Sequence, residues 1–208
     1  MADTLDIISL TEAKAAVNID ASNTTYDTEL AAYITGVSRR IDLLCGAVVR
    51  RTISNETHYC GAAPFIDVRH PPISSVTSCT EYDQDGTSTS LTGETVSSKP
   101  TDAYLIDITA EAPFRIYRRS QGGPYTFPAG GSVVVTYVAG RYATTAAVDE
   151  VFKRGAAIMF SHLWRREQGV GSSTFGPVDD VGLGIPAFAV PRAVVELLAE
   201  YIRPAGIA

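Results

Sequence analysis

Apolar positions in this chain follow two different periods. Leu30, Ile34, Val37, Ile41 and Leu44 recur at steps of four and three, which puts five apolar side chains on one helical stripe. Asp27 and Glu29 lie near its start, where the helix dipole favours negative charge, and Gly46 supplies a stop. Upstream, Ser9 and Glu12 have capping-box spacing and predict a short helix from about Leu10 to Val17. From Val48 to Val138 the helical period disappears. Turn residues such as Gly61, Pro71-Pro72, Asp85-Gly86 and Gly122-Gly123-Pro124 punctuate short β-prone runs. The predicted strands are Val48–Ile53, Phe65–Val68, Val76–Tyr82, Tyr104–Ile108, Phe114–Tyr117 and Ser132–Val138, with Asp83–Thr95 expected to be a mobile loop or hairpin tip.

Helical spacing resumes at about Ala146 and runs to Gln168 through Val148, Val151, Phe152, Ile158, Met159, Leu163 and Trp164. Gly169–Gly184 holds five glycines without periodicity and reads as a linker. Pro191 then opens a short amphipathic helix whose apolar residues are Val194, Val195, Leu197, Leu198, Tyr201 and Ile202. A helix this short is marginal alone. Its stripe must fold back on its own domain or dock on a partner, which makes these six residues candidate docking residues.

The expected fold class is α+β: a helical core of two long helices and a short N-terminal helix, with a β-rich middle insertion and a C-terminal helix on a glycine-rich linker. The expected division is 1–168 as a core domain, with 48–138 its β-rich part, and 169–208 as linker and docking helix.

Composition narrows the function. The 208 residues can bury a core without disulfides or metal. The net charge of −6 argues against a protein whose main task is gripping nucleic acid. Cys45, Cys60 and Cys79 are odd in number and widely spaced, as reduced thiols are. The polar start of the chain resembles no secretory signal, and no apolar run approaches the ~20 residues that span a bilayer. A soluble, intracellular protein is expected.

A search for chemistry finds no site. His58, His70 and His162 lack the spacing of a metal pair, so no metal is expected. No nucleophile elbow, phosphate loop or dinucleotide fingerprint occurs, and no cofactor or enzymatic activity is expected. Asp179-Asp180 falls in the glycine linker, and Asp83, Asp85 and Gly86 lack the glutamate that would complete a calcium loop. Four arginine pairs stand out. Among them Arg39, Arg40, Arg118 and Arg119 are candidates for inter-subunit or phosphate contacts, because a guanidinium suits both.

Several segments resemble one family. Ile8-Ser-Leu-Thr-Glu-Ala-Lys14 with a following polar loop, the helix Asp27–Cys45, the proline-rich Arg69-His-Pro-Pro-Ile-Ser-Ser-Val76, and Val133-Val-Val-Thr-Tyr-Val-Ala-Gly140 leading to a helix that ends Trp164-Arg-Arg-Glu167 are similar to the head–tail connector (adaptor) proteins of long-tailed double-stranded DNA bacteriophages. The similarity spans Asp6 to Gln168. It implies a structural virion protein of the neck, assembled in the host cytoplasm. It also implies a ring, usually of twelve copies, beneath the portal protein, which joins capsid to tail and extends the DNA channel. Its partners would be the portal, a head-closure or tail component and further copies of itself, with DNA passing without sequence-specific binding and no membrane. The alternative is another neck or tail part, such as a head-closure or tail-terminator protein.

Overall fold

The computed structural model describes residues 3–106, 113–167 and 190–202. The chain divides into two compact units. One is built from Met1–Val49 and Tyr142–Pro204, the other from Arg50–Arg141.

The first unit is helical. Helix α1 (Leu10–Ala16) begins at the capping box: the Ser9 hydroxyl accepts from the Glu12 N–H while the Glu12 carboxylate accepts from the Ser9 N–H. Helix α2 (Asp27–Cys45) buries Leu30, Ile34, Val37 and Ile41 completely and stops at Gly46, whose φ of 83° a side chain would strain. A 3-10 turn (Thr145–Ala147) precedes α3 (Glu150–Glu167), which adds Phe152, Ala156, Met159, Phe160 and Leu163 to the same core. Trp164 stands edge-on to Tyr26 and Tyr33, with ring centroids 5.5 and 6.2 Å away. Helix α4 (Arg192–Leu197) follows Pro191. Each fully buried Leu, Ile or Phe here stabilises the unit by about 1.5–3 kcal/mol.

The second unit is an eight-stranded mixed sheet: β1 (Arg51–Gly61), β2 (Phe65–Asp67), β3 (Ile73–Tyr82), β4 (Ser88–Gly93), β5 (Ala103–Ile106), β6 (Arg115–Ser120), β7 (Gly123–Pro124) and β8 (Ala129–Ala139). The order is β1-β8-β3-β4-β5-β6-β2, with β7 on β6, and only β4–β5 is parallel. Strands β1 and β2 stand at opposite ends of that order, yet residues 62–64 alone connect them. Six strand spacings laid flat would separate them by about 29 Å. The four Cα steps from Gly61 to Phe65 reach at most ~14 Å. The sheet therefore curls until its end strands converge; the Phe127 N–H ties to the carbonyl of Ala63 in the connection between them, and the Arg118 N–H to Pro64 continues the β2–β6 pairing. The curl encloses a second core made of Ile66, Cys79, Leu91, Ala103, Ile116, Phe127, Val133, Val135 and Tyr137.

This corrects the expected fold class. There is no helical core of two long helices with a β-rich insertion: the large sheet is a unit with its own interior, and strand (32%) matches helix (30%). Two strand assignments change with it. Strand β1 runs on through Ser54–Gly61, and β4 occupies part of the expected loop Asp83–Thr95. Strand β1 carries Ser, Thr, Asn and Glu there, and β4 Ser and Thr, where alternation of apolar residues would signal a strand. Cross-strand pairing and curl, not intrinsic β-propensity, hold them extended. The expected linker Gly169–Gly184 lies outside the described residues.

Candidate assembly surfaces

The six candidate docking residues divide. Val194 and Leu198 are fully buried in the helical core, and Tyr201 stacks on Phe152 at 4.7 Å between centroids. Gly155 makes room for this packing, since a Cβ there would stand 3.3 Å from Leu198 Cδ1. Ile202 also packs against that core and is half-buried. Only Val195 (40% exposed) and Leu197 (37%) face solvent. The stripe of α4 is thus largely occupied by its own unit, and two side chains remain available to a partner.

The arginines divide as well. Arg39 and Arg40 are exposed on α2. Arg118 is buried in the sheet unit and fully engaged. Its Nε and Nη2 donate to both oxygens of Glu81 at 2.9 and 2.8 Å, Nη2 also reaches Asp102 Oδ1 at 2.9 Å, and the guanidinium lies 5.0 Å over the Tyr125 ring. Burial alone would lower the Arg118 pKa, but the bonds to Glu81 and Asp102 raise it. Arg119 is half-buried and pairs with Glu94, which also holds Lys99 at 2.6 Å. Arg118 thus ties β6 to β3 and to the start of β5, and it offers nothing to a phosphate.

A second buried network, not anticipated from the sequence, joins β1 to β8. Glu56 accepts from the Arg69 N–H at 2.9 Å and the Tyr137 hydroxyl at 2.9 Å, and lies 2.7 Å from His58 Nε2. Burial pushes the Glu56 pKa up, but these hydrogen bonds outweigh it and hold the carboxyl below its ordinary value. Burial pushes the Tyr137 phenol well up, helped by Glu56. The Cys79 thiol is pushed up to about 12 by burial and by Glu81, and Cys60 rises for the same reasons. These thiols are protonated at neutral pH, which suits packing and not nucleophilic attack. Among the described residues no cluster of His, Cys, Asp or Glu could hold a metal ion, and no helix is long and apolar enough to cross a membrane.

Strands β1, β8, β3 and β4 present a different outer face. Register sets Thr57, Val134, Thr80 and Ser90 in one rung across β1, β8, β3 and β4. Tyr59, Ser132, Tyr82 and Ser88 form another. Thr136 beside Ser78, and Val138 between Thr52 and Ser75, continue the face. All of these are exposed or half-exposed, Tyr59 at 91%. None is charged. The intervening inward rungs carry Glu56 and Glu81. The two carboxylates lie among Val133, Val135 and Cys79 on the apolar inner face, while the outer rungs named above are mostly polar and uncharged. The result is a broad face rich in hydroxyls, with Tyr59 standing out of it.

No protein-family model matches the chain, and no curated protein matches it. Solved structures do. In the structure of the neck of an empty gene transfer agent (GTA) particle, computed with C6 symmetry, a chain 17% identical superposes with a TM-score of 0.63, over 96% of this chain and 92% of that one. In the virion of a native gene transfer agent particle, a chain 15% identical superposes with a TM-score of 0.62, again over 96% and 92%. At such identities the likeness speaks for the fold: over nearly its whole length, both units included, this chain is folded like a chain of that neck structure.

Proposed function

We propose that the protein is a structural neck component of a phage-like particle: a connector that forms a ring beneath the portal, joins capsid to tail and extends the DNA channel. The observation that carries this reading is the fold likeness to a chain of a particle neck across 96% of the sequence. The resemblance of Asp6–Gln168 to head–tail connectors points the same way, and so does an acidic balance that lets DNA pass unheld. In this reading the protein is not an enzyme. It resides in the virion after assembly in the host cytoplasm, and its ring holds twelve copies. Val195 and Leu197, with the exposed Arg39 and Arg40, are the proposed contacts to portal or neighbouring copies.

Deleting the gene from producing cells tests the reading. Filled heads and finished tails that accumulate unjoined support it; normal joined particles contradict it. Truncation after residue 168 is a poor probe of docking, because it also strips Val194 and Leu198 from the core. Leu197→Asp leaves the core intact and is expected to reduce joining. A head-closure or tail-terminator role is the second reading, favoured by a strand content equal to the helix content. Tails of uncontrolled length in the deletion would select the terminator.

A further inference from the structure

We infer that Arg69 is an edge guard: its guanidinium lies against the backbone of the end strand β1 and keeps a further strand from adding there. The inference concerns the sheet unit alone and stands apart from the neck reading.

An end strand presents unpaired backbone groups, which are a template for a strand of another chain. The two end strands here are β1 and β2. Strand β2 has three residues, and so short an edge is protected by its length. Strand β1 has eleven, with β8 on one side only. Two register shifts break it. One lies between Ile53 and Glu56, where Asn55 has a φ of 55°, and the other between Tyr59 and Gly61. Such irregularities bend an edge and end its pairing. They leave Glu56–Tyr59 as a regular run of about 13 Å between them.

Arg69 stands on that run. Its Nη2 donates to the Thr57 carbonyl at 3.2 Å. The backbone that carries it is fixed: the Arg69 N–H donates to Glu56 Oε1 at 2.9 Å, and the His70 N–H to the Tyr137 hydroxyl at 3.2 Å. Arg69 is exposed, so shortening it leaves no hole in the core. A strand adding beside Thr57 would have to displace the guanidinium or bury it unpaired, and an unpaired buried charge is costly. Free copies are thereby kept from pairing edge to edge.

Sedimentation velocity of the purified full-length protein over a range of concentrations tests this. Arg69→Met is expected to associate at about tenfold lower concentration than the native chain, the worth of one hydrogen bond from a charged donor. The substitution takes the net charge from −6 to −7, so charge repulsion opposes that association. Arg154→Met, which removes an exposed cation from α3 and changes the charge equally, is expected to behave as the native chain. Adding Thr57→Lys to Arg69→Met returns a cation to the same run and should reverse the association. The guard is overturned if Arg69→Met associates no more readily than Arg154→Met. Association that Thr57→Lys leaves in place comes from unfolding and overturns it as well. So does loss of the native circular dichroism spectrum in Arg69→Met, since Arg69 would then hold the fold itself.

Discussion

Replacing Arg118 by methionine removes the cation at the centre of the sheet unit and leaves the rest of its packing in place. Glu81, 7% exposed, then keeps a buried carboxylate with no ion partner, while the half-exposed Asp102 side chain turns to water at little cost. Breaking a buried pair from one side costs about 3–5 kcal/mol. That is a large part of the 5–15 kcal/mol that holds a typical domain. With a denaturant slope near 1.5 kcal/mol per molar, the urea midpoint of the sheet unit falls by about 2–3 M. Trp164, the only tryptophan, belongs to the helical unit, so its fluorescence is the wrong probe. Hydrogen exchange of peptides from β3 and β6 reads the right one. The double variant Arg118→Met/Glu81→Met removes the stranded charge and should be markedly more stable than Arg118→Met alone. A single-variant loss below about 1 kcal/mol, or a double-variant loss equal to the sum of the singles, would refute the assignment of a coupled buried pair.

Other outcomes follow from the same geometry. Glu56 has a folded pKa held below its ordinary 4.5, so its stabilising bonds are fully present above that pH and are lost as pH falls through the lower folded value. Glu56→Gln should flatten the acid limb of sheet-unit stability below about pH 4.5, followed by exchange in β1 and β8. Leu198→Ala empties a fully buried site against Gly155, and should cost the helical unit about 2–5 kcal/mol in Trp164-monitored unfolding. Gly131→Ala would drive a Cβ to within 2.1 Å of the Tyr82 carbonyl oxygen, and should destabilise the sheet by about 1–3 kcal/mol in the β8 exchange readout. With Cys60 and Cys79 buried and their pKa values raised, the native protein should leave both unreacted toward a thiol reagent at pH 8 and label them only on unfolding.

The helices were the legible part of the sequence. Ser9 and Glu12 give α1, and the Leu30–Ile41 spacing gives α2, because each signal is local. The sheet unit was misread for a physical reason. Its inner face is not purely apolar: Glu56, Glu81 and Arg118 sit where alternation predicts aliphatic residues, and they are tolerated there because Arg118 satisfies Glu81, and Tyr137 satisfies Glu56, across strands far apart in sequence. The stretch Ser54–Gly61 around Glu56 therefore does not read as strand, although Val76–Tyr82 and Phe114–Tyr117 do, and the unit reads as an insertion. The docking stripe was half legible. Periodicity found Val194 and Leu198, but nothing local shows that Gly155 opens a seat for Leu198 on α3. The neutral face of Thr57, Tyr59, Thr80 and Thr136 was invisible before the register was known, since its residues come from strands that are neighbours only in the folded sheet.

The central claim is that this protein occupies the particle neck, and cryo-electron microscopy of particles from producing cells tests it most directly. The account predicts density at the head–tail junction into which both the helical unit and the curled sheet fit, repeated around the channel axis directly beneath the portal. A junction accounted for by other chains, with this protein missing from the purified particles, would contradict it.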